Sequence, residues 1–456
     1  MEVTGALSNC ARSSGFDFGA DTALVTVQHM LYQTVDLFRA ARQIGLRPES
    51  IFALGKVYSN SVPVINAMRN MGVTMIESTV PAPGEFDEGF ERDVTRLWKT
   101  VAEKLSQRRI KRIIVLDDGG RCVINIPPEL LSRYAVAGVE QTSMGMFLFE
   151  EHPPPFAVFS WARSAVKLQI GGHLFSHCLL DRVQAQFLRG RALRGADIGI
   201  IGLGSIGRAF ADIASRQGNR ITFYDPAADL EVPDYLRGRI TRVGSLEELM
   251  LRSEYVFGSS GRNPFKHRWP IAHRPDIKLF SGSAGDQEFG PIIRFLRQRR
   301  DFKVARDSWD ITSEAGPSGP IRVAFLGFPY NFVSRAEMAV PTPIVQLETA
   351  GLLVGLIQAR TYLQLVEEGH ARDTRIHRIS PHAQRFIYDT WRWAMKNRGI
   401  DIRSIYGYDA ALLAAIERDD WFVDNTEPRS TANGGSNDRA EEMMRSILDA
   451  CYQPAH

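Results

Sequence analysis

Short apolar runs alternate with amphipathic segments along the first third of the chain. The runs "SIFALGKVY", "GVTMIES" and "RIKRIIVLDDGG" have the length and the β-branched residues of buried strands. Segments between them, such as "SVPVINAMRNMG", carry apolar residues at helical spacing. Strands that alternate with helices form parallel sheets covered by helices on both faces. The pattern therefore predicts an α/β fold with a doubly wound sheet.

A second region of the same kind begins near Ser176. The helical segment "SHCLLDRVQAQFL" leads to the strand "DIGIIG", and weaker strand patterns follow at "EYVFGSS", "DIKLFSG", "DFKVARD" and "IRVAFLG". From "MAVPTPIVQLETAGLLVGLIQARTYLQLV" onward the pattern is helical, and "DNTEPRSTANGGSNDRAE" is typical of a linker. A chain of 456 residues is long enough for two domains.

Composition and charge narrow the function classes. The formal net charge is +3, from 55 basic and 52 acidic residues, and this balance gives no reason to expect a nucleic-acid or membrane surface. No apolar run approaches the roughly 20 residues that cross a bilayer. The four cysteines are scattered and form no paired framework, and the N-terminus has no basic-then-apolar signal. These features predict a cytoplasmic protein.

One stretch, "GADIGIIGLGSIGRAFADIASRQGNRITFYDP", predicts a dinucleotide-binding turn. Gly202, Gly204 and Gly207 follow the strand "DIGIIG" in the pattern G-x-G-x-x-G, and Ser205 and Ile206 lie at the start of the following helix. The first glycine permits a tight turn, the second lets the backbone approach a pyrophosphate, and the third allows close packing of helix and strand. The phosphates then lie at the positive end of the helix.

Asp225 ends the next strand, "RITFYD", about 20 residues further on, as this type of cofactor site requires. A carboxylate there accepts hydrogen bonds from the adenosine ribose hydroxyls and repels a 2′-phosphate, which predicts NAD rather than NADP. We therefore expect a Rossmann NAD-binding domain inserted in a larger doubly wound substrate domain. The predicted boundaries are 1–175 for the first part of the substrate domain, 176–340 for the NAD-binding domain, 341–410 for the returning helices of the substrate domain, and 411–456 for a C-terminal extension with a polar linker.

Ordered blocks across residues 25–360 resemble the S-adenosylhomocysteine hydrolase family. "HMLYQTVDL" from His29 is similar to that family's "HMTVETAVL", "GEFDEGF" to its "GETDEEY", and "VLDDGG" to its "LDDGGD". "GVEQTSMG" resembles its "G-x-SEETTTG", and "SAVK" ending at Lys167 resembles its "SVTK". "VFGSSG" stands where the family has "VTTTG".

The resemblance implies an enzyme that holds NAD tightly and oxidises a ribose hydroxyl, with a nucleoside-like small-molecule substrate and a homo-oligomeric state. It assigns the base of the oxidation step to Lys167. It also places at the substrate the following residues: His29, Asp117 and Asp118. The hydroxyl-rich segments that it assigns to the nicotinamide end of the cofactor are Thr142, Ser143, Ser259 and Ser260.

Several charged positions of that family are replaced in this chain. Glutamine stands in place of two glutamates, glycine in place of an aspartate and an asparagine, and small residues in place of two loop histidines; these positions are Gln33, Gln141, Gly171, Gly172, Ala284 and Val340. One general acid or base contributes typically 10²–10⁴-fold in rate, so hydrolysis of S-adenosylhomocysteine itself is not expected. A different substrate of the same type is the first hypothesis, with Lys167 as the base that oxidises a secondary alcohol.

Two other functions stay open. One is a catalytically degenerate protein that binds NAD as a structural or sensing element. The other is a 2-hydroxy-acid dehydrogenase-like oxidoreductase, because "LRGADIGIIGLGSIGRAFADIA" looks like the cofactor turn of those enzymes. The strand ends "LFSGSAGDQEF" and "KVARDSWDI" lack the arginine that such enzymes carry in "N-x-A-R-G". His173, His177 and Asp181 share a helix face, but two ordinary helical histidines explain this pattern, and no metal is predicted.

Overall fold

The computed structural model describes residues 2–265, 268–333, 342–370, 372–402, 416, 418, 421–424 and 436–452. The chain divides into two compact units: unit 1 comprises residues 1–79, 91–171 and 341–456, and unit 2 comprises residues 80–90 and 172–340. Unit 2 is therefore inserted in unit 1. The predicted boundary at residues 410 and 411, and most of the predicted polar linker, lie outside the described residues.

Among the described residues, the sheet of unit 1 has seven strands, all of them parallel. Its longer apolar runs are buried on both faces, as is typical of parallel sheets. The strands are β1 (Thr22–Gln28), β2 (Ile51–Gly55), β3 (Thr74–Ile76), β4 (Arg112–Asp117), β5 (Ala135–Glu140), β6 (Val158–Ser160) and, near the end of the chain, β15 (Ile376–Arg378). Their order is β15-β6-β5-β4-β1-β2-β3, and all the pairs are parallel.

In the part of unit 2 that the structure describes, the sheet has eight strands. They are β7 (Asp197–Ile201), β8 (Arg220–Tyr224), β9 (Ile240–Arg242), β10 (Tyr255–Gly258), β11 (Ile277–Ser281), β12 (Lys303–Val304), β13 (Ile311–Gly316) and β14 (Gly319–Val323). Their order is β12-β13-β14-β11-β10-β7-β8-β9. The six strands from β14 to β9 are parallel, and β13 pairs antiparallel with β12 and β14. The predicted α/β class, with parallel Rossmann-type sheets, is confirmed.

Helices connect the strands and follow the last strand. In chain order they are α1 (Glu2–Ser13), α2 (Tyr32–Gln43), α3 (Val62–Asn70), α4 (Phe86–Leu105), α5 (Arg121–Ile124), α6 (Pro128–Arg133), α7 (Ser143–Glu151), α8 (Gly172–Arg182), α9 (Ser205–Arg216), α10 (Leu246–Arg252), α11 (Gly290–Arg297), α12 (Thr342–Glu367), α13 (Pro381–Asn397), α14 (Trp421–Asp424) and α15 (Ser436–Tyr452). A π-helical turn, Val166–Gly171, precedes α8. Within the described ranges, none of these helices is both long and apolar enough to span a bilayer.

The strand order reverses beside the first strand of each sheet. The two sides of the reversal are β1 and β4 in unit 1, and β7 and β10 in unit 2. In open parallel sheets a crevice forms at this point, outside the carboxyl ends of the strands, and ligands bind there. The residues that follow these four strands are therefore the first candidates for function in each unit.

The cysteines differ from the sequence-based expectation. Cys122 and Cys178 are buried free thiols, but Cys10 is disulfide-bonded. The expectation of no cysteine pairing is therefore wrong for Cys10. The cysteines consequently do not support the cytoplasmic setting predicted from them.

Candidate functional site

The predicted glycine turn lies at the carboxyl end of β7 in unit 2. Gly202 has φ +88°, and a Cβ there would lie 2.7 Å from Ser260 Cα. A Cβ on Gly207 would overlap the Gly202 carbonyl oxygen. Only glycine fits these two positions. Among the described residues, no heavy atom beyond the two chain neighbours lies within 4 Å of a Cβ built on Gly204, so there is open space beside this residue, which immediately precedes α9 at Ser205.

Asp225 immediately follows β8 and lies beside the turn. Its Oδ2 accepts a hydrogen bond from the Leu203 amide at 2.8 Å, and its Oδ1 accepts one from the Ala227 amide at 3.0 Å. A carboxylate has about four acceptor positions, so both oxygens can still accept from ribose hydroxyls. The open helix N-terminus and this carboxylate together fit the pyrophosphate and the adenosine ribose of NAD. Ile206 lies in the first turn of α9, and its carbonyl accepts from Ser176 Oγ at 3.1 Å.

The two serines after β10 support the glycine turn. Ser259 Oγ donates to the Gly202 carbonyl oxygen at 2.8 Å. The amide and hydroxyl of Ser260 donate to Glu288 Oε1 at 2.8 and 2.7 Å. Glu288 is buried, and burial raises its pKa to about 7. Sequence reasoning missed Glu288. The related feature of the sequence is the glycine at the end of β10, because a Cβ on Gly258 would overlap the Glu288 carboxyl group.

Asp118 is the centre of a buried polar cluster at the strand reversal of unit 1. Its Oδ2 lies 3.1 Å from His29 Nε2 and also accepts a hydrogen bond from Gln141 Nε2. Its Oδ1 accepts from Lys56 Nζ, and both members of this ion pair are 1% exposed. His29 follows β1, Lys56 follows β2 and Asp118 follows β4, so three neighbouring strands supply these groups.

The shifted pKa values determine which groups of this cluster are charged. Burial alone raises the pKa of Asp118, but Lys56 and His29 outweigh burial and hold it well below its usual range. Burial alone lowers the pKa of Lys56, but Asp118 reverses this effect and raises it. Burial lowers the pKa of His29, and Asp118 opposes this effect only in part. At neutral pH the cluster therefore holds an aspartate anion, an ammonium cation and a neutral imidazole.

Ser59, His29 and Asp118 form a serine–histidine–aspartate chain of contacts. His29 Nδ1 lies 2.6 Å from Ser59 Oγ, while Nε2 faces the Asp118 carboxylate. A carboxylate only accepts hydrogen bonds, so the imidazole proton belongs on Nε2 and Nδ1 accepts the serine proton. Ser59 is 1% exposed. Its hydroxyl is therefore not a nucleophile that a substrate can reach, and the chain of contacts serves to orient His29.

Asp117 accepts hydrogen bonds from backbone amides rather than from side chains of the cluster. Its oxygens accept from the amides of Asp118 at 2.8 Å and Val123 at 2.9 Å, and burial raises its pKa to about 6. Glu140 Oε1 accepts from the amide and hydroxyl of Thr142 at 2.7 and 2.6 Å. Thr142 also caps α7, which begins at Ser143. In unit 1, Asp117 ends β4, Thr142 lies between β5 and α7, and Ser143 begins α7.

Lys167 lies in the π-helical turn of unit 1. Its Nζ is 3.0 Å from Glu348 Oε2 on α12, and the same oxygen accepts from Trp161 Nε1 at 2.9 Å. The positive charge of Lys167 contributes to the lowered pKa of His29, so the two side chains lie within electrostatic range. With 37% of its side chain exposed, against 19% for His29 and 1% for Lys56, Lys167 is the most accessible of these basic groups.

His173 and His177 lie on α8 in unit 2. Within the described part of the chain, no group of three or more histidine, cysteine or carboxylate side chains is arranged to hold a metal ion.

Comparison with known proteins identifies the cofactor domain. The family model "D-isomer specific 2-hydroxyacid dehydrogenase, NAD binding domain" matches residues 176–266. This match contradicts the resemblance to S-adenosylhomocysteine hydrolase. That resemblance rested on short blocks at strand ends and helix starts, where parallel α/β sheets of different families select similar small and acidic residues.

Similarities over most of the chain say less about the function than the family match does. Two uncharacterized proteins of Mycobacterium tuberculosis, MT0113 of strain CDC 1551 / Oshkosh and Rv0104 of strain ATCC 25618 / H37Rv, are each 30% identical over 321 residues. The match covers 68% of this chain and 58% of each relative, so the chain spans little more than half their length.

Two solved structures, both of D-mandelate dehydrogenase from Rhodotorula graminis, show only a weak likeness. The apo form has 14% identity and a TM-score of 0.27, over 58% of this chain and 74% of that chain. The holo form has 15% identity and a TM-score of 0.31, over 59% and 74%. Similarities with TM-scores this low do not support any conclusion about fold or function. The family match confirms the predicted cofactor: residues 176–266 are similar to the NAD-binding domain of D-isomer specific 2-hydroxyacid dehydrogenases, and the cofactor is NAD.

Proposed function

We propose that this protein is an NAD-dependent oxidoreductase of the 2-hydroxyacid-dehydrogenase kind, acting on a small secondary alcohol or the corresponding ketone. The observation that carries the proposal is the turn at Gly202, Gly204 and Gly207 with Asp225 beside it, which fits NAD. Bound NAD supplies a nicotinamide that accepts or donates a hydride. A protein that uses NAD in this way also needs a group that takes or returns the hydroxyl proton.

Lys167 is the proposed proton-transfer residue. When the alcohol is oxidised, its carbon loses a hydride, its oxygen loses a proton, and the C–O single bond becomes a carbonyl. The group that accepts this proton must be reachable by the substrate, and Lys167 is more exposed than His29 and Lys56, the basic groups of the unit 1 cluster. In the oxidation direction the neutral Lys167 amine accepts the hydroxyl proton and becomes the ammonium, and in the reverse direction the ammonium returns a proton to the carbonyl oxygen. Glu348 holds the ammonium in place through the 3.0 Å contact.

The proposed substrate class follows from the cofactor domain, and 2-hydroxy acids are the first compounds to test. The chain differs from 2-hydroxy-acid dehydrogenases at the strand end "LFSGSAGDQEF", where it has no arginine to bind a substrate carboxylate. A comparison between each hydroxy acid and its neutral amide therefore separates carboxylate recognition from recognition of the alcohol.

The experiment has two stages. Denaturing the purified protein and identifying the released nucleotide by chromatography and mass determines whether NAD is retained. The NAD-loaded protein is then mixed with 2-hydroxy acids and their amides, and with 2-oxo acids in the reverse direction, while nicotinamide absorbance is followed. We expect turnover with at least one pair, and a loss of about 10²-fold or more in kcat for Lys167→Met.

Three outcomes would contradict parts of the proposal. NAD binding without any change in absorbance would favour the structural or sensing role. Full activity of Lys167→Met would exclude Lys167 as the proton-transfer residue. Turnover of the amide as fast as the acid would exclude a carboxylate as the recognised group. The variant Lys111→Met is the matched control, because Lys111 is a lysine of unit 1 with 74% of its side chain exposed.

A further inference from the structure

Lys56 is a charged group of the unit 1 cluster that the proposed reaction leaves unused. The sequence "GKVYSN" contains no signal that this lysine is buried, yet its side chain is 1% exposed. Removing an ammonium from water costs several kcal/mol unless a close anion compensates it. Asp118, also 1% exposed, is that anion. The buried pair therefore binds Lys56 firmly to the carboxylate that contacts His29.

The two oxygens of Asp118 have separate partners. Oδ1 accepts from Lys56 Nζ, while Oδ2 faces His29 Nε2 at 3.1 Å and accepts from Gln141 Nε2. The Lys56 contact therefore favours one orientation of the carboxylate, with one oxygen toward Lys56 and the other toward His29. Because that oxygen can only accept, it places the imidazole proton on Nε2 and leaves Nδ1 to accept from Ser59 at 2.6 Å.

We propose that Lys56 is the positioning residue of the unit 1 site: its ammonium holds Asp118 ionised and in one orientation and, together with burial and Lys167, keeps the His29 imidazole neutral, while Asp118 holds the imidazole proton on Nε2. Lys56 does not touch the substrate in this proposal. The effect on turnover rests on the proposed oxidoreductase function, but the state of His29 does not, because it is measurable without substrate or NAD.

The direction of the expected change follows from the charges around His29. The groups that face it include the Asp118 carboxylate, the cations Lys56 and Lys167, the Ser59 hydroxyl and the Tyr58 ring. Of these, Asp118 raises the pKa of His29, and the two cations lower it. Loss of the Lys56 charge removes one opposing cation and also leaves the carboxylate less neutralised. Both changes favour imidazolium, so the pKa of His29 must rise.

The test is an NMR titration of the His29 imidazole in the resting protein. The resonance is assigned by its loss in His29→Asn, and titrations are compared for the wild type, Lys56→Gln, Lys56→Met and Lys56→Arg. We expect a rise of about one pKa unit in Lys56→Gln and Lys56→Met. Lys56→Arg retains the charge and should retain the low pKa. The exposed Lys111→Met variant should leave the titration unchanged.

Two variants are needed because Lys56→Met leaves the Asp118 anion buried beside an apolar side chain and risks misfolding. In Lys56→Gln the introduced side-chain amide still donates a hydrogen bond to the carboxylate without carrying charge, so this variant tests the charge alone. An unchanged His29 titration in folded Lys56→Gln would overturn the proposal. A fall in the pKa would overturn it as well, because the sign would be opposite to that required by the charges.

Kinetics supply the second readout. The charges of His29 and Lys167 act on each other, so protonation of His29 should impair proton transfer by Lys167. If the protein turns over a substrate, the low-pH limb of the kcat profile should therefore move to higher pH in Lys56→Gln, by about as much as the His29 titration moves. Lys56→Arg should restore the wild-type limb. A uniform loss of kcat with an unmoved limb would show a merely structural role and would overturn the proposal. If the protein turns over none of the tested compounds, the oxidoreductase function is refuted, and the NMR titration alone then decides the role of Lys56.

Discussion

Two glycines of the cofactor turn should respond in different ways to the same added methyl group. In Gly207→Ala the new Cβ would lie 2.8 Å from Ser259 Oγ and still closer to the Gly202 carbonyl oxygen. A normal carbon–oxygen contact requires that carbonyl to retreat by about 1 Å. In Gly204→Ala the Cβ meets no atom within 4 Å, and the backbone at φ −73°, ψ −163° is allowed for alanine.

The expected energies follow from these two environments. Forced packing in Gly207→Ala costs about 3 kcal/mol, and the better helix propensity of alanine returns about 1 kcal/mol, so unit 2 should lose about 2 kcal/mol of stability. In Gly204→Ala the poorer helix cap and the reduced freedom of the unfolded chain cancel to within about 0.5 kcal/mol. The methyl group added at Gly204 instead occupies the space for the pyrophosphate, and NAD affinity should fall at least about tenfold.

Thermal denaturation without NAD and calorimetric titration with NAD measure the two effects separately. We expect Gly207→Ala to lose both stability and NAD binding, and Gly204→Ala to lose NAD binding alone. Wild-type affinity in Gly204→Ala would show that the cofactor does not approach this face of the turn. Wild-type stability in Gly207→Ala would show that the turn is not as tightly packed as its geometry indicates.

Three further predictions concern charged groups. Asp225→Asn retains an acceptor oxygen but removes the charge that repels a 2′-phosphate, so the preference for NAD over NADP, measured by titration with each, should fall roughly tenfold; an unchanged ratio would refute this role. Burial raises the pKa of Glu288 from 4.5 to about 7, so between these pH values the folded carboxyl keeps its proton where the unfolded one has lost it, and the stability that this group contributes is lost as pH rises. In Glu288→Gln the melting temperature of unit 2 should therefore depend less on pH than in the wild type. The same pH dependence in both proteins would contradict this reasoning. Glu348→Gln removes the anion that holds Lys167 and should lower kcat with unchanged NAD affinity, whereas a loss of NAD affinity alone would contradict the proposed role.

The cofactor turn is the part of the protein that could be predicted most fully from sequence. Its strand, glycines, helix and ribose carboxylate occupy about 30 consecutive residues, and each follows from a local requirement: a left-handed backbone at Gly202, close packing at Gly207, and a carboxylate at the end of the next strand. The same locality limited the family assignment. Short strand-end blocks are similar in many α/β proteins, and the resemblance built on them was wrong.

The antiparallel edge of unit 2 was not predicted. "DFKVARD" supplies only the exposed two-residue strand β12, and β13, which follows it, pairs antiparallel with β14. Edge strands with few buried residues have little hydrophobic periodicity, so their pattern does not reveal them. Their position depends on the neighbouring strand rather than on their own sequence.

By itself, the sequence determined the α/β class, the strand–turn–helix unit and the choice of NAD, because these depend on residues close together in the chain. Tertiary structure alone decided the environment of each ionisable group. Lys56 and Asp118 are 62 residues apart, and Lys167 and Glu348 are 181 apart. Nothing in the local sequence distinguishes such a lysine from a solvated one. Its charge state depends on the burial and the partners that the folded sheet supplies, and these exist only once distant strands have come together.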